Sequence, residues 1–151
     1  MELRQRITRF MGRGILAAAL GLSLTGGAAM AADELFRPLA PERAELGDLQ
    51  WQARPVLVFA DGPEDQRFRQ QMTALRASSD GLAARDIVVL TDTDPSAKGR
   101  LRAALAVEGF TVLLVGKDGG VKLRSDEPIA TDDLFSTIDA MPMRQREMRD
   151  D

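Results

Sequence analysis

Five carboxylates clustered after two apolar runs are the first residues in this chain whose types and spacing could do chemistry. Asp61, Glu64 and Asp65 follow the run at residues 56–60, and Asp92 and Asp94 follow the run at residues 87–90. If the two runs are neighbouring parallel strands, Asp61, Asp92 and Asp94 would form an oxygen-rich cluster able to hold Mg²⁺ or Ca²⁺ and support metal-assisted hydrolysis. The same acids have a plainer use. Helix starts leave four N–H groups without partners, and acids in the first turn satisfy them and complement the helix dipole for about 0.3–1 kcal/mol each.

A second constellation is basic. Lys117, Lys122 and Arg124 lie on or beside a hairpin pattern, and Arg144, Arg146 and Arg149 follow the last apolar helix pattern. On a strand, Lys122 and Arg124 share one face opposite Val121 and Leu123. Lys117, Lys122, Arg124 and Arg144 therefore offer a site for a small anionic ligand or a protein partner, since cationic forks suit carboxylate and phosphate. Edge protection competes with this reading, because charges on an exposed edge strand deter unwanted pairing. The turn 116–120 is not a phosphate loop, since it joins strand to strand with no helix N-terminus behind it.

The chain contains neither Cys nor His. These two absences exclude disulfides, dithiol exchange, Ser/His and Cys/His triads, and zinc sites built on His or Cys. No catalytic residue and no cofactor is expected.

Residues 1–31 have the make-up of a secretory signal peptide: Arg4, Arg6, Arg9 and Arg13, an apolar run from Gly14 to Leu24, then small residues to a cleavage site after Ala31 or Ala32. The apolar run is shorter than the roughly 20 residues of a membrane-spanning helix, which argues against an uncleaved anchor. Export to the periplasm of a Gram-negative bacterium, or secretion, is expected, with no membrane span after cleavage. Removing the leader takes four of 20 basic residues and one of 23 acidic ones, which leaves a formal charge of −6. Such a domain is poorly suited to nucleic acid, and its partner is expected to be a periplasmic protein or a small molecule.

The elements that must position these residues can be read in order. Residues 32–54 form a lead-in that docks on the domain, with a short helix or edge strand and with Trp51 as a core anchor in preference to a ligand platform. Residues 56–60 read as a buried central strand. A helix at 63–77 carries Phe68, Met72 and Leu75 on one face, with Pro63 at its first position. Residues 87–90 make a second strand, Asp94-Pro95 a helix start, and Leu101, Ala104 and Leu105 the next apolar stripe. Residues 111–115 and 121–124 flank an Asp-Gly turn and form a hairpin. Thr131 caps a last helix carrying Leu134, Phe135, Ile138 and Met141, which Pro142 stops, and the charged tail 143–151 frays.

This β-α-β-α-β-β-α order, with a mixed central sheet and helices on both faces, resembles a thioredoxin-like α/β domain at residues 55–142. In that family the turn after the first core strand carries Cys-x-x-Cys; here the stretch is Ala60-Asp61-Gly62-Pro63-Glu64-Asp65, and a carboxylate cannot exchange disulfides. The family also places a cis-proline before the hairpin, where this chain has Gly109, Phe110 and Thr111. A more specific resemblance rests on three stretches: Leu49-Gln50-Trp51-Gln52-Ala53-Arg54, the hairpin from Val115 to Ser125, and Leu134 to Arg144. These resemble the domain of unknown function family DUF4174, over about Leu46 to Met148. That family is similar to thioredoxin-like domains and to the DUDES-type domains of some animal extracellular matrix proteins. The resemblance implies fold and export, and carries over no catalytic residue.

Overall fold

The computed structural model describes residues 34–151; the signal peptide expected at 1–31 lies outside the described residues. Its centre is a five-stranded mixed sheet in the order β1-β3-β2-β4-β5. The strands are β1 (Phe36–Pro38), β2 (Arg54–Phe59), β3 (Ile87–Asp92), β4 (Thr111–Val115) and β5 (Val121–Ser125). β1, β3 and β2 run parallel, while β4 pairs antiparallel with both β2 and β5.

Strand alternation builds two cores. Val56, Val58, Val89, Val112 and Leu114 face one way and pack on α1 (Gln66–Ala77), α2 (Ser79–Ala83) and α4 (Thr131–Asp139) through Met72, Leu75, Leu82, Leu134 and Ile138. Leu57, Phe59, Leu90, Leu113 and Val115 face the other way, onto Leu101 of α3 (Arg100–Ala104) and onto Leu39, Leu46 and Leu49 of the lead-in. β2 is buried along its whole length, which is why its sequence is apolar without alternation.

Several local expectations change in detail. α1 starts at Gln66 and not at Pro63, because the Asp65 side chain accepts the amides of Arg67 and Phe68 at 2.8 and 3.1 Å and so fixes the cap. Residues after Ser78 form α2, whose Gly81 lies under the Phe135 ring. A Cβ there would sit 2.5 Å from the ring, so any larger residue would push the Phe135 ring aside. Ala130, not Thr131, holds the N-cap position of α4, with no side-chain cap bond.

The largest change is at the C-terminus. Pro142 does not end the chain's ordered part; it is the first residue of α5 (Pro142–Asp150). Proline disfavours helical backbone in the residue before it, and Met141 is extended at φ −70° and ψ 135°. That break separates two helices, since proline is well suited to the first position of the second.

Candidate functional site

The sheet has two poles. One lies at the C-terminal ends of β2 and β3, where a thioredoxin-like fold begins its first core helix. The other lies at the opposite ends of the same strands, where Arg54 and Asp86 meet the β4–β5 turn.

At the first pole the expected metal cluster does not form. Both oxygens of Asp92 accept from Arg102, Oδ2 from Nε at 3.0 Å and Oδ1 from Nη2 at 3.1 Å. The Arg102 Nη2 also donates to the backbone carbonyls of Ala60 and Asp92 at 2.8 and 3.0 Å, and the guanidinium lies over the Phe59 ring at 5.4 Å. Asp92 is thus a strand-end clamp, not a free ligand. Asp94 caps the 3₁₀ turn Pro95–Ala97 by accepting the Ser96 amide, and the Ser96 side chain holds its carboxyl below the ordinary aspartate range. Asp61 is exposed. Among the described residues no three acidic side chains come together as a metal site. Asp65 and Asp94 serve as N-caps instead.

The second pole gathers most of the basic candidates. Lys117 donates from Nζ to Asp86 at 2.8 Å and to Glu147 at 2.7 Å. Glu147 also accepts from Arg54 Nη2 at 3.1 and 3.2 Å, and lies 3.6 Å from Arg144. Arg144 reaches Asp139 at 3.4 Å, and Asp139 is held by Arg85 at 2.9 and 2.7 Å. The result is one connected network of four cations and three carboxylates that ties α5, α4 and the hairpin turn to the start of β2. Hydrogen bonds from Arg85 hold the Asp139 carboxyl below the ordinary aspartate range against opposing burial. Burial pushes Glu147 up, but the hydrogen bonds from Lys117 and Arg54 outweigh it and leave the carboxyl below the ordinary glutamate range.

Arg144 was expected on a fraying tail; its side chain is only 11% exposed, because the network draws α5 onto the domain. Lys122 bonds Asp118 at 2.7 Å. Arg124 points elsewhere, donating to the carbonyls of Leu105 and Ala106 at 2.7 and 3.2 Å. It caps the C-terminal end of α3, where a cation is favourable. The structure therefore brings Lys117, Lys122 and Arg144 to one pole and assigns Arg124 to the other face of the sheet.

At this pole Arg54 was not foreseen, Arg146 was placed on a fraying tail, and Trp51 was placed in the core. Arg54 is 1% exposed; its Nη1 donates to the Arg85 carbonyl at 2.9 Å, while its Nε has no partner. A lone charge at the head of an apolar strand was the only signal. Arg146 carries no ion pair among the described residues and lines, with Arg54, Lys117, Lys122, Met141 and Met143, a cleft of about 250 Å³ between the turn and α5. Trp51 is not a core anchor: it is 62% exposed and sits at φ +66°. Its amide donates to the Lys117 carbonyl at 2.7 Å, and the adjacent Gln50 donates to the Asp118 carbonyl at 3.0 Å, so the lead-in is fastened to the turn with the indole outside.

Sheet order, the antiparallel hairpin and helices on both faces define a thioredoxin-like domain. The fold of reduced 2-Cys peroxiredoxin from Plasmodium vivax superposes with a TM-score of 0.53 at 14% identity, covering 67% of this chain and 84% of that one. Reduced desulfothioredoxin from Desulfovibrio vulgaris Hildenborough gives 0.52 at 14% identity, covering 72% and 99%. At this identity the likeness shows the fold alone. The chain belongs to the DUF4174 family, a domain of unknown function, which it matches over residues 45–147. No curated protein matches it. No helix among the described residues is long and apolar enough to cross a membrane.

Proposed function

We propose that this protein is an exported thioredoxin-like domain without redox chemistry, and that it works as a binding module through the pole formed by the hairpin turn, the lead-in and α5. The absence of Cys and His supports the non-redox part, and the leader-like N-terminus supports export. Trp51 carries the binding part. A non-glycine residue at positive φ costs about 1–2 kcal/mol, and folding normally hides a tryptophan in compensation. Here the strained backbone holds the indole in solvent. Strain kept at an exposed aromatic is a mark of a working surface, and tryptophan is among the residues that dominate interface energies.

The surroundings agree. The three large apolar side chains that stay exposed among the described residues are Trp51, Val121 and Met148. Trp51 is bonded to Lys117, Val121 follows the turn, and Met148 adjoins Glu147. Lys122 and Arg146 add positive charge to this pole of an otherwise acidic chain, which favours an acidic partner. The test is co-purification from the exporting cell with the double substitution Trp51→Ser and Met148→Ser. A specific partner retained by wild type is expected to be lost while the unfolding midpoint is kept. Equal retention by both proteins would refute this reading.

A further inference from the structure

Resting on the assignment of the binding face to the hairpin pole, we infer that the cleft between the turn and α5 is a site for a small carboxylate bearing an apolar group. Its walls hold four cations, Arg54, Lys117, Lys122 and Arg146, against one acid, Asp118. Arg54 and Lys117 are already matched inside the network and Lys122 by Asp118, but Arg146 is free to turn its planar fork on a ligand, and such a fork pairs best with a carboxylate or phosphate through two parallel hydrogen bonds.

A second observation points the same way. The Nε–H of Arg54 is the one buried side-chain polar atom among the described residues with no hydrogen-bond partner. Buried donors are nearly always satisfied, and those that are not call for a water or ligand beside them. Arg54 lines this cleft.

The remaining wall selects among anions. Met141, Pro142 and Met143 form it; Pro142 has no N–H to offer an oxyanion, and methionine side chains adapt their shape to an apolar guest. Inorganic phosphate, a hydrated dianion, gains nothing from such a wall. A monoanionic carboxylate with a short alkyl or aryl group gains on both sides. The volume, about 250 Å³, falls just below the range of pockets for drug-sized ligands, so the acid must be small.

The test is a titration of the purified chain followed by amide NMR shifts and by the fluorescence of its single tryptophan, with four probes: hexanoate, acetate, inorganic phosphate and hexanol. Hexanoate is expected to saturate, with shifts concentrated at Gly116, Asp118, Met143 and Arg146. Acetate and phosphate should bind at least tenfold more weakly, and hexanol should give no saturable change. Arg146→Gln, which removes no bond of the fold, should weaken hexanoate at least fivefold. Phosphate binding as tightly as hexanoate, non-saturable hexanoate shifts, or an unchanged Arg146→Gln would each overturn the inference. The titration needs no partner protein, so a negative result beside a Trp51-dependent capture would refute the carboxylate site and leave the binding face standing.

Discussion

Glu147→Gln is the substitution whose effect the structure specifies most fully. Glutamine keeps the shape and an acceptor but removes the charge that faces Arg54 and Lys117. Lys117 retains Asp86 at 2.8 Å, whereas Arg54, 1% exposed, is left with neutral acceptors alone, the Arg85 carbonyl and the new amide oxygen, and no carboxylate. Stranding one member of a fully buried pair costs about 3–5 kcal/mol. Glu147 itself is 23% exposed, so water relieves part of this, and about 2–4 kcal/mol is expected. With an unfolding entropy of roughly 2.1 cal/mol/K per residue over a domain of this size, each kcal/mol moves the midpoint by about 4 °C. Thermal unfolding followed by circular dichroism should therefore show a fall of about 8–15 °C, matched by a lower urea midpoint at unchanged slope. The double substitution Arg54→Met with Glu147→Met should recover more than half of the loss, since neither charge is then left alone. A fall below about 3 °C, or a double variant as unstable as the single one, would refute the idea that this pair fastens α5.

The same carboxyl gives a pH prediction. Its folded pKa lies below the ordinary value, so its contribution is fully present above the unfolded pKa of about 4.3 and disappears as pH falls through the folded value; the stability gap between wild type and Glu147→Gln should narrow below pH 4.3 and stay constant from pH 5 to 7. Arg102→Met should cost about 2–4 kcal/mol by leaving Asp92, nearly buried, without its cation; a change under 1 kcal/mol in urea unfolding would contradict the clamp. Gln71→Ala should cost about 1–3 kcal/mol, because Gln71 satisfies both the carbonyl and the amide of Ile129, at 3.1 and 2.7 Å, and calorimetry would expose an error. Trp51→Gly should stabilise by about 1 kcal/mol by removing the positive-φ strain while abolishing capture of the partner; a destabilised variant would show that the indole is part of the fold.

The strands were legible because their residues are dictated by burial. Residues 56–60 and 111–115 are apolar on both faces, and the Asp-Gly turn between 117 and 120 leaves little choice but a hairpin. α5 was not legible for the opposite reason. Its residues, Pro-Met-Arg-Gln-Arg-Glu-Met-Arg-Asp, have no apolar stripe, and what holds it is an ion pair between residues 93 positions apart. Such a pair leaves no periodicity. Asp92 shows the same gap at shorter range: its spacing from Asp94 reads equally as metal ligand or cap, and only Arg102, brought back across the strand ends by α3, decides. Lys117, Lys122 and Arg144 could be assembled in advance from the hairpin and the chain end, whereas Arg54 and Trp51 could not. Burial of an arginine and exposure of a tryptophan both run against the residue's usual place, and that contrariness is what singles out the pole.

The central claim is that the protein works through the hairpin pole and not through the strand ends where thioredoxin-like domains begin their first core helix. Site-specific photo-crosslinking in the living cell compares the two directly, with the reactive side chain placed at Trp51, Val121 or Met148 on one side and at Asp61, Glu64 or Ser96 on the other. A discrete adduct is expected from the first set, reduced by Lys122→Glu, and none from the second. Adducts from Asp61 and Glu64 with none from Trp51 would contradict it and move the working face to the opposite end of the sheet.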